Sequence, residues 1–189
     1  MVHVVSFVSS LTPTSIPLEI AVAIENETDI DVTVASFYDE SVSSDYEISV
    51  KPLDADSRFD VRAFRRLWTL LQCDDDLVLH THHNFIGSVA RILATVAGVP
   101  IVNTEHRQHD SLTPLQNAVN VPTLPLADRI VSNSKATERS FYRVERVLLS
   151  ANELDVVYNG VDIEKLENTI RNQPEHTDAD VLQIITVGR

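Results

Sequence analysis

Lysine, cysteine and long apolar runs are all scarce in this chain, and each shortage excludes something. Fifteen basic residues face 28 acidic ones, a formal charge of −13, and only Lys51, Lys135 and Lys165 are lysines. With no stripe of clustered Lys and Arg, the chain lacks what displaces counterions from a nucleic-acid backbone. The single cysteine, Cys73, excludes an internal disulfide and every Cys-rich zinc pattern. A disulfide-free chain fits a cytoplasmic location. Strong acidity with few lysines is the balance of a protein kept soluble at high salt, so a halophilic source is expected. No apolar run is long enough to span a bilayer. Met1 to Leu11 is apolar but has no cationic region before it and runs toward Pro13 and Pro17, so no secretory signal is expected. Peripheral membrane contact is open to such a chain, but no basic amphipathic helix supports it. Repeats and low-complexity tracts are absent as well.

What the chain does have is 43% hydrophobic residues in a length of 189, enough for one α/β domain with a substantial core. Short β-branched runs alternate with helical patterns, the signature of βαβ units and a mainly parallel sheet. Strands are predicted at Val2 to Ser9, Asp31 to Phe37, Leu77 to His80, Ile101 to Thr104, Ile130 to Asn133 and Val156–Val157, with a weaker one at Tyr46 to Val50. Residues 16–26 read as a helix with Ile16, Ile20 and Ile24 at spacing four along one face. Phe64, Leu67, Trp68 and Leu71 define a second apolar helix face, with Trp68 in the core. Residues 85–97 form an almost wholly apolar helix whose one charge is Arg91, which predicts burial between layers. Gly98 is its expected C-cap. One short helix is expected in the Pro-rich connection holding Pro114, Pro122 and Pro125, and Ser134 is placed to cap a helix reaching about Leu149. Asn159-Gly160 reads as a tight turn with a positive φ at the glycine.

The last predicted strand, Val181 to Val187, is followed only by Gly188-Arg189. A strand with nothing to cross back predicts a three-part organisation. Residues 1–165 form a Rossmann-like domain, 166–180 a linker, and 181–189 the opening strand of a further domain.

Five of the seven histidines, His80, His82, His83, His106 and His109, lie within thirty residues at the carboxyl ends of two predicted strands. Ligands of open α/β sheets bind just outside those ends. Imidazole supplies a donor, an acceptor and a titration near neutral pH. One reading of the cluster is a metal-dependent hydrolase: His80 and His82 point to one face of a strand, and His106 completes a zinc or manganese site. Against it, no HExxH pattern or cysteine partner exists. Taken alone, His80 is a buried strand end.

A second reading rests on the order of landmarks. A strand ending His80-Thr81-His82-His83 is followed by Gly98-Val99-Pro100-Ile101-Val102, then Thr104-Glu105-His106. Ala127-Asp128-Arg129-Ile130-Val131-Ser132-Asn133-Ser134 comes next, then Asn159-Gly160-Val161-Asp162 and finally Gly188-Arg189. The ordered set resembles the N-terminal, acceptor-side domain of family 4 glycosyltransferases, which have the GT-B architecture of two facing Rossmann-like domains. The resemblance implies a three-layer α/β/α sandwich, one half of a GT-B fold. The whole enzyme would move a sugar from a nucleotide-sugar donor to a sugar, lipid or polymer hydroxyl, with no cofactor and no obligatory metal. It also implies retention of anomeric configuration with little help from a protein nucleophile.

Carried onto this sequence, the resemblance makes His106 the catalytic histidine beside the transferred sugar. His82 and His83 would line the acceptor cleft. Ser134 is either a plain N-cap or a contact for a polar group in that cleft. Arg189 would pair with the donor diphosphate, a job that suits the guanidinium fork. Two departures stand out. Residues 11–19, where the family's glycine-rich phosphate loop falls, contain no glycine, leaving only the hydroxyls of Thr14 and Ser15. The donor domain with its lysine and paired glutamates is absent too, so the chain alone is expected to be inactive. A third expectation, from another class, is a non-catalytic carbohydrate- or partner-binding module that works with a separate donor-domain chain.

Overall fold

The computed structural model describes residues 2–12, 15–38, 48–82, 85–149, 153–160, 163, 167–168 and 171. Seven strands carry the β-branched runs: β1 (His3–Val8), β2 (Asp31–Ser36), β3 (Ser49–Pro52), β4 (Leu77–Thr81), β5 (Ile101–Glu105), β6 (Arg129–Ser132) and β7 (Glu153–Val156). They pair in parallel throughout, in the order β3-β2-β1-β4-β5-β6-β7. The helices are α1 (Ile16–Glu27), α2 (Val61–Leu71), α3 (Phe85–Ala97), α4 (Pro114–Thr123), α5 (Lys135–Arg139) and α6 (Arg143–Leu148). The expected Rossmann-like α/β/α sandwich is what forms.

Crossover handedness decides which helix lies on which face. The chain steps outward one way from β1 to β2 to β3, then returns to β4 and steps the other way to β7. Parallel crossovers are right-handed, so a helix made while stepping one way lies on the opposite face from helices made stepping back. The packing obeys this. Leu18 and Ala21 of α1 close over Val4, Val8, Val32 and Val34 on one face. Leu67, Leu71, Ile86, Ala90 and Ala94 of α2 and α3 close over Val5, Phe7, Leu77, Leu79 and Ile101 on the other, where Phe141 and Leu149 of the α5–α6 segment also pack. Strand order reverses between β1 and β4, the position at which open α/β sheets bind ligands outside the carboxyl ends of their strands.

Side chains alternate between faces along each strand, and register carries that alternation across the sheet. Ser6 pairs with His80, and His80 with Val102. The α1 face at the carboxyl edge therefore collects Ser6, His80, His82, Thr104 and His106. Thr81, Asn103 and Glu105 take the opposite face.

Several expectations are corrected. Leu18 and Ala21, not Ile16, Ile20 and Ile24, are the residues of α1 that become fully buried. Trp68 is half-buried; the fully buried positions of α2 are Ala63, Leu67, Leu70 and Leu71. The apolar α3 is not enclosed all round, since Ile92 and Val96 stay exposed although Arg91 is fully buried. The helix expected from Ser134 to Leu149 is two helices, α5 and α6, because Phe141 turns into the core between them. Gly98 adopts the left-handed φ of 75° expected of a C-cap, whereas Gly160 has no positive φ.

The chain divides into two units, Met1–Asn159 and Gly160–Arg189. Within the second, Glu167 and Arg171 form an exposed ion pair at 3.8 Å. The weak strand at Tyr46 begins outside the described residues, as do Val181 to Val187 and most of 166–180. No helix among the described residues is long and apolar enough to cross a membrane.

Candidate functional site

Two side-chain groups meet at the carboxyl edge of β4 and β5, one on each face of the sheet. On the α1 face three imidazoles stand in a row. The rings of His80 and His82 are 4.0 Å apart and those of His82 and His106 are 5.3 Å apart. His82 is buried, its Nε2 3.3 Å from Ser6 Oγ and its Nδ1 3.0 Å from His106 Nε2. In a nitrogen–nitrogen hydrogen bond one ring donates and the other accepts, so these facing edges share a single proton. His80 Nε2 lies 2.8 Å from Thr104 Oγ1.

His80 and His106 sit in an environment that opposes charge. Loss of hydration, with the nearby His106 adding to it, lowers His80 from 6.5 to about 4. Burial lowers His106 also, while the neighbouring Glu105 carboxylate raises it. His106 is half-buried, held from behind by Asn133, whose Nδ2 donates to the His106 carbonyl at 3.3 Å. Asn133 in turn accepts from Thr137 Oγ1 at 2.7 Å. Its backbone N–H donates to the Glu105 carbonyl at 3.1 Å.

The opposite face carries a buried ionic network. Arg91, fully enclosed on α3, donates to Asn103 Oδ1 at 2.6 Å, Asn120 Oδ1 at 2.6 Å, Thr123 Oγ1 at 2.7 Å and Ser88 Oγ at 3.1 Å. Burial lowers it to about 10, with Glu105 working the other way, so it stays a cation at neutral pH. Asn103 and Asn120 pass the contact on, donating to Glu105 Oε1 at 3.0 and 3.2 Å. Glu105 Oε2 is 3.7 Å from His109 Nε2, and His109 Nδ1 is 2.6 Å from Glu145 Oε1. This network ties α3, α4 and α6 to β5, one residue before His106.

The five-histidine cluster is therefore split. His80, His82 and His106 come together; His109 is carried by a short 3-10 turn to the far face, where it pairs with Glu145. His83 and Arg189 lie outside the described residues. Ser134 caps α5, its Oγ accepting from Thr137 N–H at 3.1 Å. His80 turns its Nε2 to Thr104 rather than toward a point shared with His82 and His106. Among the described residues no group of three or more His, Cys, Asp or Glu is arranged to hold a metal ion. Sequence reasoning missed Ser6, Asn103, Glu105 and Asn133. The available signal was strand parity: Asn103 and Glu105 are polar residues on the face that Ile101 places in the core.

Comparison with known proteins follows the same lines. A model of Glycosyltransferase Family 4 matches residues 21–165, about three quarters of the chain. HepE of Anabaena, solved with UDP and glucose, superposes with a TM-score of 0.65 at 16% identity, over 90% of this chain and 50% of that one. MurG of Acinetobacter baumannii gives 0.57 at 12% identity, over 92% and 50%. MnaA of S. aureus, solved with UDP, gives 0.59 at 22% identity, over 79% and 40%. The chain thus spans about half the length, or less, of these structural relatives, and at such identities the likeness is one of fold. No curated protein matches the sequence. Fold, strand-end site and family match agree, and the chain belongs to glycosyltransferase family 4.

Proposed function

We propose that the chain is the acceptor-side half of a glycosyltransferase that transfers a sugar from a nucleotide-sugar donor to a hydroxyl acceptor. The organisation read from the sequence goes with it: residues 1–165 as acceptor domain, 166–180 as linker and 181–189 as the start of the donor side. Support for a nucleotide-sugar donor comes from the UDP held by the HepE and MnaA structures.

One observation carries the reading. The His82–His106 pair stands at the carboxyl edge beside the strand-order reversal, in surroundings that keep His106 neutral. Sugar transfer from a nucleoside diphosphate needs the sugar held in line with the incoming hydroxyl, and the leaving diphosphate needs its charge met. A neutral imidazole suits the first task. With His106 Nε2 engaged by His82, its Nδ1 is the atom offered to a hydroxyl of the transferred sugar or the acceptor. His82, fixed by Ser6, sets the ring's orientation, and His83 adds to the acceptor cleft. Cations meet the leaving charge, Arg189 first among them. The chemistry is positional, and no cofactor enters it.

The test is turnover of UDP-glucose by this chain joined to a family donor domain. His106→Ala should lower turnover at least tenfold with an unchanged circular dichroism spectrum. Unaltered turnover would remove His106 from the site. Saccharide binding without any turnover in the joined protein would favour a non-catalytic binding module.

A further inference from the structure

The loop between β3 and α2 carries a feature that neither the histidines nor the core explains. Phe59 is 66% exposed, and its ring meets Phe85 edge to face at a centroid distance of 5.3 Å. Arg58 lies 5.7 Å from the Phe59 ring and 5.8 Å from the Phe85 ring. These distances are near the outer limit of cation–π contact, so the guanidinium flanks the rings without sealing them.

This loop is rigidly built. Asp54 holds a left-handed φ of 49° and pairs with Arg66 at 2.9 Å. Arg66 also donates to the Leu53 carbonyl at 2.6 Å. Asp60 caps α2 and pairs with Arg62, which reaches Asp56 as well. All three aspartates of the loop are thus engaged by arginines of α2. Arg58 has no carboxylate partner among the described residues, in a chain of net charge −13. A preorganised loop that leaves an aromatic ring in water and a cation unneutralised beside it is dressed for a ligand with an apolar face and a negative charge.

Its location selects among such ligands. The loop follows the carboxyl end of β3, and Phe85 opens α3 just past the end of β4. Phe85 is three residues from His82, within about 11 Å along even a fully extended chain. The geometry points to Arg58, Phe59 and Phe85 as a specificity subsite for a pyranose bearing an anionic group on the acceptor side. The polarised C–H face of the sugar ring lies on the electron-rich face of Phe59, and its carboxylate or phosphate takes the guanidinium fork of Arg58. This rests on the glycosyltransferase reading and narrows its acceptor to an acidic saccharide.

Titration of the full chain at low ionic strength tests it by chemical shift or calorimetry. The probes are a disaccharide ending in glucuronic acid, the same disaccharide ending in glucose, and a phosphorylated form of the latter. At least one anionic sugar should bind tenfold or more tighter than the neutral one; which one distinguishes carboxylate from phosphate. Arg58→Gln should bring the anionic sugars to the neutral level. Phe59→Ala should weaken all three tenfold or more with an unchanged melting temperature. Equal affinity for charged and neutral sugars, no binding of any, or insensitivity to both substitutions would overturn the subsite. Binding that obeys these rules alongside full turnover by His106→Ala would sink the catalytic assignment and leave the subsite standing.

Discussion

The two faces of the sheet at the ends of β4 and β5 solve opposite problems within a few ångströms of each other. On the α1 face, His80, His82 and His106 are crowded together, their polar atoms engaging hydroxyls and each other, and burial disfavours protonation of His80 and His106. Across the strands, Arg91 and Glu105 are buried as charges, held by amides and hydroxyls that use nearly every donor and acceptor. The first arrangement keeps His80 and His106 neutral and leaves both partly open to solvent. The second fixes α3, α4 and α6 to the strand that delivers His106. The difference separates a cluster of rings joined by a few hydrogen bonds from a frame that cannot lose a member.

The largest effect is expected from breaking the frame. Arg91→Leu leaves Glu105 without its cation and Asn120 Oδ1 without its donor, while Asn103 Oδ1 keeps only Thr81, and should cost about 3–5 kcal/mol in urea denaturation. An effect below about 1 kcal/mol would mean that the network is ornamental.

Next comes the imidazole face, read by pH. Because His80 titrates near 4 when folded and near 6.5 when unfolded, the unfolded chain binds more protons between those values. Stability should therefore fall as pH drops from about 6.5 to about 4, by at most about 3 kcal/mol, and level off for this group below that. His106 works in the same direction. His80→Gln should flatten the slope in this window. A slope unchanged by the substitution would assign it to other groups.

Away from both faces, Asp60→Ala removes the N-cap of α2, and the stability lost should be read as a lowered melting temperature. The Arg62 guanidinium and backbone N–H groups hold the Asp60 carboxyl well below the usual carboxylate range. The loss should therefore shrink only in strong acid.

The subtlest measurement asks whether the faces communicate. Glu105→Gln keeps a side-chain oxygen for Asn103 and Asn120 but removes the charge that raises His106. The His106 C2–H resonance should then titrate at lower pH than in the parent protein. No movement would show the two sides to be electrostatically insulated.

Much of the fold was legible in the sequence because parallel strands buried on both faces must be short and β-branched, and Gly98 and Ser134 mark helix boundaries by conformations few residues serve as well. The shared face of His80 and His82 followed from strand parity alone. What stayed hidden depends on contacts distant in sequence. Nothing local in 134–149 announces that Phe141 must reach the core and Glu145 must meet His109, which is why one expected helix is two. His109 was grouped with His106 by proximity in sequence, whereas the short 3-10 turn carries it around the strand end. Arg91 stood out as a lone charge on an apolar helix, but its partners come from β5 and α4. Sequence order brought the family into view; the hydrogen-bonded frame came only from packing.

Strand β5 and the residue that follows it place Thr104, Glu105 and His106 on alternating sides, so three consecutive codons serve two different jobs. Adding or deleting one residue there would turn a carboxylate toward the imidazole face and an imidazole into the ionic frame at a single stroke. Descent with modification should therefore tolerate length variation in the surrounding loops and almost none between Ile101 and His106.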